Sequence, residues 1–233
     1  MAVFGSVEQG YLGRLIASGH KTGDDFFDMR GFDWSDVPHN RKVYPTYYEE
    51  YILKVDFSSS KSDEGFEIRG AVFEECVFDK SKWWCASFPK CKFINCSFND
   101  CCLYNSKLGG KFYDCSFKNF ALKTFRNGLT GFSWGSEYKN CIFENVNIRN
   151  QYDVIGLIFE GCKIDGIFKG GIFRGRRYAL KERFRTPPDL FDTRYRPVKF
   201  IRCDLSNLKT QNVVFEKDIV FKDNKVGSQS FFT

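Results

Sequence analysis

Large apolar side chains recur every five residues through the middle of this chain, and the position two residues before each of them is small. The large residues of the unbroken run are Phe73, Phe78, Trp83, Phe88, Phe93, Phe98, Leu103 and Leu108, and the small residues are Ala71, Cys76, Ser81, Ala86, Cys91, Cys96, Cys101 and Ser106. A step of five residues turns a side chain by about 140° around a helix, and an odd step reverses its face on a strand. The pattern therefore predicts a chain that turns every five residues.

Each five-residue side points two side chains inward, the small one and the large one two places later. Four such sides close a square coil of about twenty residues, and successive coils stack at the strand spacing of about 4.8 Å. The pattern predicts a solenoid, which grows by adding coils and needs no second core.

The Cys-x-Phe repeat resembles the motif of the pentapeptide-repeat family, which is a small residue, Asp or Asn, Leu or Phe, and two variable positions. The middle position here is mostly Lys, Ser or Val. This resemblance implies an all-β fold, a right-handed quadrilateral (four-sided) parallel β-helix solenoid with a solid core. We expect it to carry a short N-terminal capping helix and one long inserted loop.

The repeat is interrupted at three places: after Leu108, near Gly128 and at an inserted loop after Phe173. The frame slips by one residue after Leu108 and resumes at Phe112 and Phe117, and it fades between Gly128 and Gly135. A later block from Cys141 to Phe173 and a last block ending in the pair Asp218/Val220 keep the five-residue step. We predict a β-helix over 66–173, an inserted loop over 174–199 and a last coil over 200–221.

The ends of the chain lack the repeat and are predicted to cover the stack. Within an N-terminal cap over 1–65, Ser6 begins a capping box that opens a short helix, and Gly19 stops it. The alternation from Tyr47 to Phe57 predicts a strand that leads into the first coil. Two pentad-like groups near Phe27 and Phe32 are too weak to count, and 222–233 is a tail or a second cap.

Eight of the ten cysteines occupy the small inward position, so we predict that they pack as buried apolar groups. Cys85 and Cys102 fall outside it, and two interpretations stay open for them: unreactive surface cysteines or exposed, reactive thiols. Both histidines, His20 and His39, precede the repeats, and no cysteines have zinc-ligand spacing. The sequence predicts no metal and no cofactor.

Catalytic motifs are poorly represented. The string Gly19-His20-Lys21-Thr22 is only superficially similar to a phosphate loop, because it ends a predicted helix instead of opening one. No nucleophile has a histidine partner within the repeats. We therefore expect a protein that is not an enzyme. An apolar run long enough to span a membrane and a secretory leader are also absent from the sequence, so a cytoplasmic setting is expected.

Positive charge is concentrated between Arg174 and Lys199. This segment has nine basic and three acidic residues, and its net charge of +6 equals that of the whole chain. The candidate partner-binding residues are Arg174, Arg176, Arg177, Tyr178, Lys181, Arg183, Arg185, Arg194 and Arg196. One interpretation is an arm that grips phosphate, anionic lipid or an acidic protein face. The other is a solvated side loop whose arginines pair with the coil wall.

The resemblance also bears on function, because understood bacterial members of the family bind other macromolecules. Some are acidic, DNA-like proteins that bind DNA gyrase or topoisomerase IV and protect it from quinolones or peptide toxins. This chain departs from them in its charge-balanced repeats. The first hypothesis is a protein-binding scaffold, an immunity or resistance factor whose partner is a type II topoisomerase or a toxin. The alternative is a nucleic-acid or anionic-surface binder that uses the 174–199 loop. Monomer and dimer both stay open.

Overall fold

The structure, a computed structural model, describes residues 11–36, 46–48, 50–125, 130–175 and 196–227. An α-helix, α1, spans Tyr11–Ala17, and a 3-10 turn spans Trp34–Asp36. The helix ends before Gly19, whose N–H donates to the carbonyl of Ile16 at 2.9 Å. Ile16 is buried against the first coils. The predicted capping box at Ser6 lies outside the described residues.

All other regular elements in the described residues are short strands. Their bounds are β1 Phe27–Asp28, β2 Thr46–Tyr48, β3 Tyr51–Leu53, β4 Val55–Asp56, β5 Lys61–Ser62, β6 Glu67–Arg69, β7 Val72–Glu74, β8 Lys82–Trp84, β9 Lys92–Ile94, β10 Cys102–Tyr104, β11 Lys107–Leu108, β12 Lys111–Tyr113, β13 Ser116–Lys118, β14 Ala121–Lys123, β15 Gly131–Phe132, β16 Glu137–Lys139, β17 Ile142–Arg149, β18 Ile158–Glu160, β19 Lys163–Lys169, β20 Ile172–Phe173, β21 Lys199–Ile201, β22 Asp204–Gln211, β23 Val214–Phe215, β24 Val220–Lys222 and β25 Lys225–Val226. Every pairing between these strands is parallel.

The strands form a parallel β-helix with four sides. One sheet, the first side, runs β3-β7-β9-β12-β16-β18-β21-β24, and a second long sheet runs from β5 to β25 across the next two sides. The fourth side has the short pairs β11-β15 and β20-β23. The predicted four-sided β-helix is confirmed.

The core is a set of inward columns, one for each side. The first column is Ile52, Phe73, Phe93, Phe112, Tyr138, Phe159, Phe200 and Phe221. The second is Phe57, Phe78, Phe98, Phe117 and Phe143. The third includes Trp83, Leu103, Leu122, Ile148 and Phe168, and the fourth includes Ile68, Phe88, Leu108 and Phe132. The core residues named from the sequence, Phe73, Phe78, Phe88, Phe93, Phe98, Leu103, Leu108, Phe117, Cys76, Cys91, Cys96 and Cys101, all lie buried.

Stacked rings hold the first two columns together. In the first column, Phe93 stacks on Phe73 with centroids 5.0 Å apart and on Phe112 at 4.6 Å, with ring planes within 6° of parallel. Rings of neighbouring columns meet edge to face, as Phe93 does with Phe98 at 5.4 Å. Both geometries are the favoured ones for aromatic pairs. Phenylalanine therefore suits this fold because one ring shape fills each slot and stacks on its own copy.

One corner column is built from cysteines. Cys76, Cys96, Cys115, Cys141, Cys162 and Cys203 occupy it on successive coils, and all six thiols are free and buried. Thiols bond to carbonyls of the coil before, as Cys115 Sγ does to Phe93 O at 3.5 Å. Asn224 takes the next place: its Oδ1 accepts from Cys203 N–H at 2.8 Å and its Nδ2 donates to Phe200 O at 2.9 Å.

Two glycines explain the frame slip after Leu108. Gly110 has a φ of 112°, and a Cβ on it would lie 2.8 Å from the carbonyl oxygen of Cys91. A Cβ on Gly109 would lie 2.7 Å from the Cβ of Ser133. Only glycine fits this tight corner, which lets the chain complete a coil with one residue fewer. Phe112 thereby returns to the column of Phe93.

Coil-like pairing extends beyond the clear pentads at both ends. Phe27 pairs in parallel with Val55, and Trp34 is fully buried and stacks on Phe66 at 5.0 Å. At the other end the predicted pair Asp218/Val220 is wrong by one residue. Val220 pairs with the outward residue Lys199, whereas Phe221 points inward and stacks on Phe200 at 5.0 Å.

Candidate partner-binding surface

The inserted segment leaves and rejoins the stack at one corner, between the fourth and first sides. Arg174 donates its N–H to Val154 O at 2.9 Å, and the carbonyl of Arg174 accepts from Val198 N–H at 3.0 Å. The two ends of the predicted 174–199 loop are thus bonded to each other, because Val198 N–H donates to the carbonyl of Arg174. The coil continues into β21 as if the insertion were absent.

The Arg174 guanidinium braces this corner. It donates to Glu216 Oε1 at 2.5 Å and to Asp153 Oδ2 at 2.8 Å, and the other Glu216 oxygen accepts from Gly175 N–H at 2.7 Å. Partial burial opposes ionisation of Glu216, yet the Arg174 guanidinium and the Gly175 N–H hold the pKa of that carboxyl below its ordinary value. The pKa of Arg174 is raised by the same two carboxylates, against the effect of its own partial burial.

The structure therefore gives Arg174 a bracing contact with the wall. Arg196 precedes β21, outside any strand, and is exposed. The other predicted partner-binding residues, Arg176, Arg177, Tyr178, Lys181, Arg183, Arg185 and Arg194, lie outside the described residues. Their role in binding stays a prediction.

A second candidate surface, which the sequence interpretation missed, is the outer face of the third side. We call it the basic-aromatic face and define it by the outward residues of β8, β10 and β14 and of the C-terminal halves of β17, β19 and β22, which lie on the third side. Those residues are Lys82, Trp84, Cys102, Tyr104, Ala121, Lys123, Asn147, Arg149, Ile167, Lys169, Lys209 and Gln211. Five of them are cations and none is acidic.

This face could not be predicted from the net charge of the repeats. Outside the 174–199 segment the charges of the chain cancel, so composition predicts a neutral wall. Writing the sequence as stacked coils would have placed Trp84, Tyr104, Lys123, Arg149 and Lys169 in one row. That step requires the coil lengths, which the frame slip and the break near Gly128 alter.

Cys102 lies on this face, and Cys85 lies at the corner beside it. Both are half-buried, and burial raises the pKa of the Cys85 thiol. A raised pKa lowers the thiolate fraction and therefore the reactivity of Cys85. Among the residues that the structure describes, no group of three His, Cys, Asp or Glu side chains is arranged to hold a metal ion. None of the described helices is long and apolar enough to cross a membrane.

This geometry defines the protein as a parallel β-helix solenoid whose outer surface carries a row of basic and aromatic side chains. Residues 71–110 match the family model for pentapeptide repeats, in eight copies. The protein thus carries the repeat that its sequence resembles. A comparison with curated protein sequences gave no match.

Solved structures of low similarity include pentapeptide-repeat proteins and a resistance protein. Rfr23 from the cyanobacterium Cyanothece 51142 is 8% identical with a TM-score of 0.24, over 62% of this chain and 63% of that one. A trypsin-treated variant of QnrB1, a plasmid-mediated fluoroquinolone resistance protein, is 16% identical over 82% and 91%, with a TM-score of 0.24. HetL from Nostoc sp. strain PCC 7120, a protein involved in heterocyst differentiation regulation, is 11% identical over 91% and 92%, with a TM-score of 0.22.

Proposed function

We propose that this protein is a non-enzymatic scaffold that binds a macromolecular partner, and that the insertion after Arg174 makes the contact. The observation that carries this proposal is the closure of the corner, where Val198 N–H bonds to Arg174 O. Because this bond closes the coil across the insertion, we expect the stack to fold without the basic and aromatic residues of the insertion. A long insertion in a compact repeat is uncommon unless it has a function.

The finer form of the proposal is an immunity or resistance factor whose partner is a type II topoisomerase or a toxin. It rests on the family that the sequence resembles, in which some members protect gyrase and carry projecting loops for that purpose. Such a partner would place the protein in the cytoplasm.

Purified gyrase and topoisomerase IV test this form directly. Quinolone-stabilised DNA cleavage is measured with increasing amounts of the protein and of an excised variant, in which residues 176–196 are replaced by a short Gly-Ser turn. We expect the wild type to reduce cleavage and the excised variant to lose most of that effect. The excised variant should keep its thermal unfolding midpoint within a few degrees, because Arg174 and Val198 still close the coil.

Two results would contradict the proposal. Unchanged cleavage with both enzymes would reject the topoisomerase-protecting form. Equal protection by the wild type and the excised variant would show that the partner binds the wall of the solenoid and not the insertion.

A further inference from the structure

The basic-aromatic face orders its side chains in a row parallel to the axis of the stack. Trp84, Tyr104, Lys123, Arg149 and Lys169 occupy equivalent outward positions on successive coils. With about 4.8 Å between coils, the row from Trp84 to Lys169 is about 19 Å long. Lys209, one coil further and on the parallel row through Ile167, extends the positive end.

The cations of this face differ from those of the first side. On the first side Lys111 and Lys139 both pair with Glu137, at 3.5 and 2.8 Å, and Lys139 also approaches Glu160 at 3.7 Å. In the described part of the chain, no ion pair joins Lys82, Lys123, Arg149, Lys169 or Lys209 to a carboxylate. These five cations of the basic-aromatic face therefore favour the binding of an anion.

Aromatic rings occupy one end of the same row. Trp84 and Tyr104 stack on each other with centroids 4.8 Å apart and planes 14° from parallel. Phe125, whose exposed fraction is 48%, meets Trp84 edge to face at 5.3 Å. The ammonium group of Lys123 lies over the Tyr104 ring at 5.8 Å. These rings point away from the core, which is filled by the inward columns.

We infer that the basic-aromatic face binds single-stranded nucleic acid. Phosphates would contact Lys123, Arg149, Lys169 and Lys209. Unpaired bases would pack against the exposed ring of Phe125 and the accessible parts of the half-buried Trp84 and Tyr104. A positive track beside aromatic rings is the combination by which proteins hold single strands without reading sequence. The row is long enough for a strand on the order of four nucleotides.

The aromatic end favours a single strand over a duplex or a membrane. A flat wall cannot enter a groove, so a duplex would meet only the cations and leave the rings unused, since its bases face inward. A membrane surface would need apolar groups spread along the face. Here the apolar rings lie together at one end and the charges follow at the other.

Fluorescence anisotropy with labelled dT20 tests this inference, with a 20-base-pair duplex of the same label and anionic phospholipid vesicles as competitors. We expect dT20 to bind more tightly than the duplex. The logarithm of the association constant should fall with the logarithm of salt concentration with a slope of about −3, as four phosphate contacts require. Trp84→Ala should weaken binding by about tenfold.

Matched charge reversals locate the surface. The triple variant Lys123→Glu/Arg149→Glu/Lys169→Glu should lose at least about tenfold in affinity. A control with the same change in net charge, Lys92→Glu/Lys111→Glu/Lys199→Glu on the first side, should lose less than about threefold. Both should retain the wild-type circular dichroism spectrum.

The excised variant separates this face from the insertion, because it keeps all residues of the third side. It should bind dT20 within about threefold of the wild type. Loss of all binding on excision, equal losses in the two charge variants, tighter binding of the duplex or of vesicles, or no binding at low salt would each overturn the inference.

Discussion

Phe112 stacks on Phe93 at 4.6 Å, closer than Phe93 stacks on Phe73, although its coil is one residue shorter. The shorter coil keeps its ring in register because Gly109 and Gly110 turn the corner without side chains. Register in this fold is thus set by the inward columns, and the corners adjust to them.

Gly110→Ala should destabilise the protein by at least about 2 kcal/mol. The φ of 112° is unfavourable for alanine, and the new Cβ would meet the Cys91 carbonyl at 2.8 Å. Urea unfolding followed by circular dichroism measures the loss. Gly23→Ala is the control, because no atom lies within 4 Å of a Cβ there, and it should cost less than about 1 kcal/mol. Equal costs would refute this account of the frame slip.

Phe93→Asp should abolish soluble, folded protein. Phe93 is fully buried between two stacked rings, and a carboxylate there would have no polar partner. The cost would be well above 3 kcal/mol, on the order of the whole stability of a marginal domain. Lys92→Asp, on the exposed face of the same strand, should express and melt almost as the wild type does. A soluble, cooperatively melting Phe93→Asp protein would show that the inward register is wrong.

In the folded protein, a thiol reagent should label only two cysteines, Cys85 and Cys102. Burial raises the pKa of Cys91 to about 12, and the corner column is equally closed to solvent. A maleimide reagent at pH 7.5, followed by peptide mass spectrometry, should mark Cys85 and Cys102 in the folded protein and all ten cysteines in urea. Rapid native labelling of Cys115 or Cys141 would contradict the closed column.

Arg174→Met should cost about 1 to 2 kcal/mol at pH 7, because two partly buried carboxylates lose a charged partner. Glu216 has a lowered folded pKa, so its stabilisation is present above its ordinary pKa of 4.5 and is lost as the pH falls. The difference between the variant and the wild type should therefore shrink between pH 5 and pH 3. Urea unfolding at several pH values measures it.

A second ion pair provides the comparison for Arg174. Arg202, which is 62% exposed, pairs with Glu160 at 2.5 Å, and Arg202→Met should cost less than about 1 kcal/mol. A pH-independent cost for Arg174→Met would mean that its packing against the corner, and not its charge, stabilises the closure.

Sequence periodicity predicted the fold well because each pentad repeats the same inward pair. Periodicity predicted the register less well at the ends of the stack, where the inward pair differs from the small-then-large pattern. Trp34 and Phe27 join the stack without a recognisable pentad, since parallel backbone pairing and ring stacking suffice there. The pair ending at Val220 was one residue out of register, because two apolar residues, Val220 and Phe221, are adjacent and only stacking on Phe200 decides between them.

The candidate surfaces were harder to predict for a different reason. A binding row such as the one through Trp84, Tyr104 and Lys123 joins residues that are distant in sequence and share no spacing of their own. Their alignment follows from the lengths of the intervening coils. Local charge, in contrast, is visible in sequence, as it is in the segment after Arg174.

Because the corner at Arg174 and Val198 is closed, the spacing between coils does not depend on the insertion. Equivalent positions on two coils are separated along the axis by a whole number of coil rises, each about 4.8 Å. This separation is the same whatever length of chain is inserted between them. A partner with two contact points would accept a longer insertion but not a lost coil. Duplication or deletion of four pentads would therefore change which partners fit by discrete steps, while the length of the insertion could drift freely.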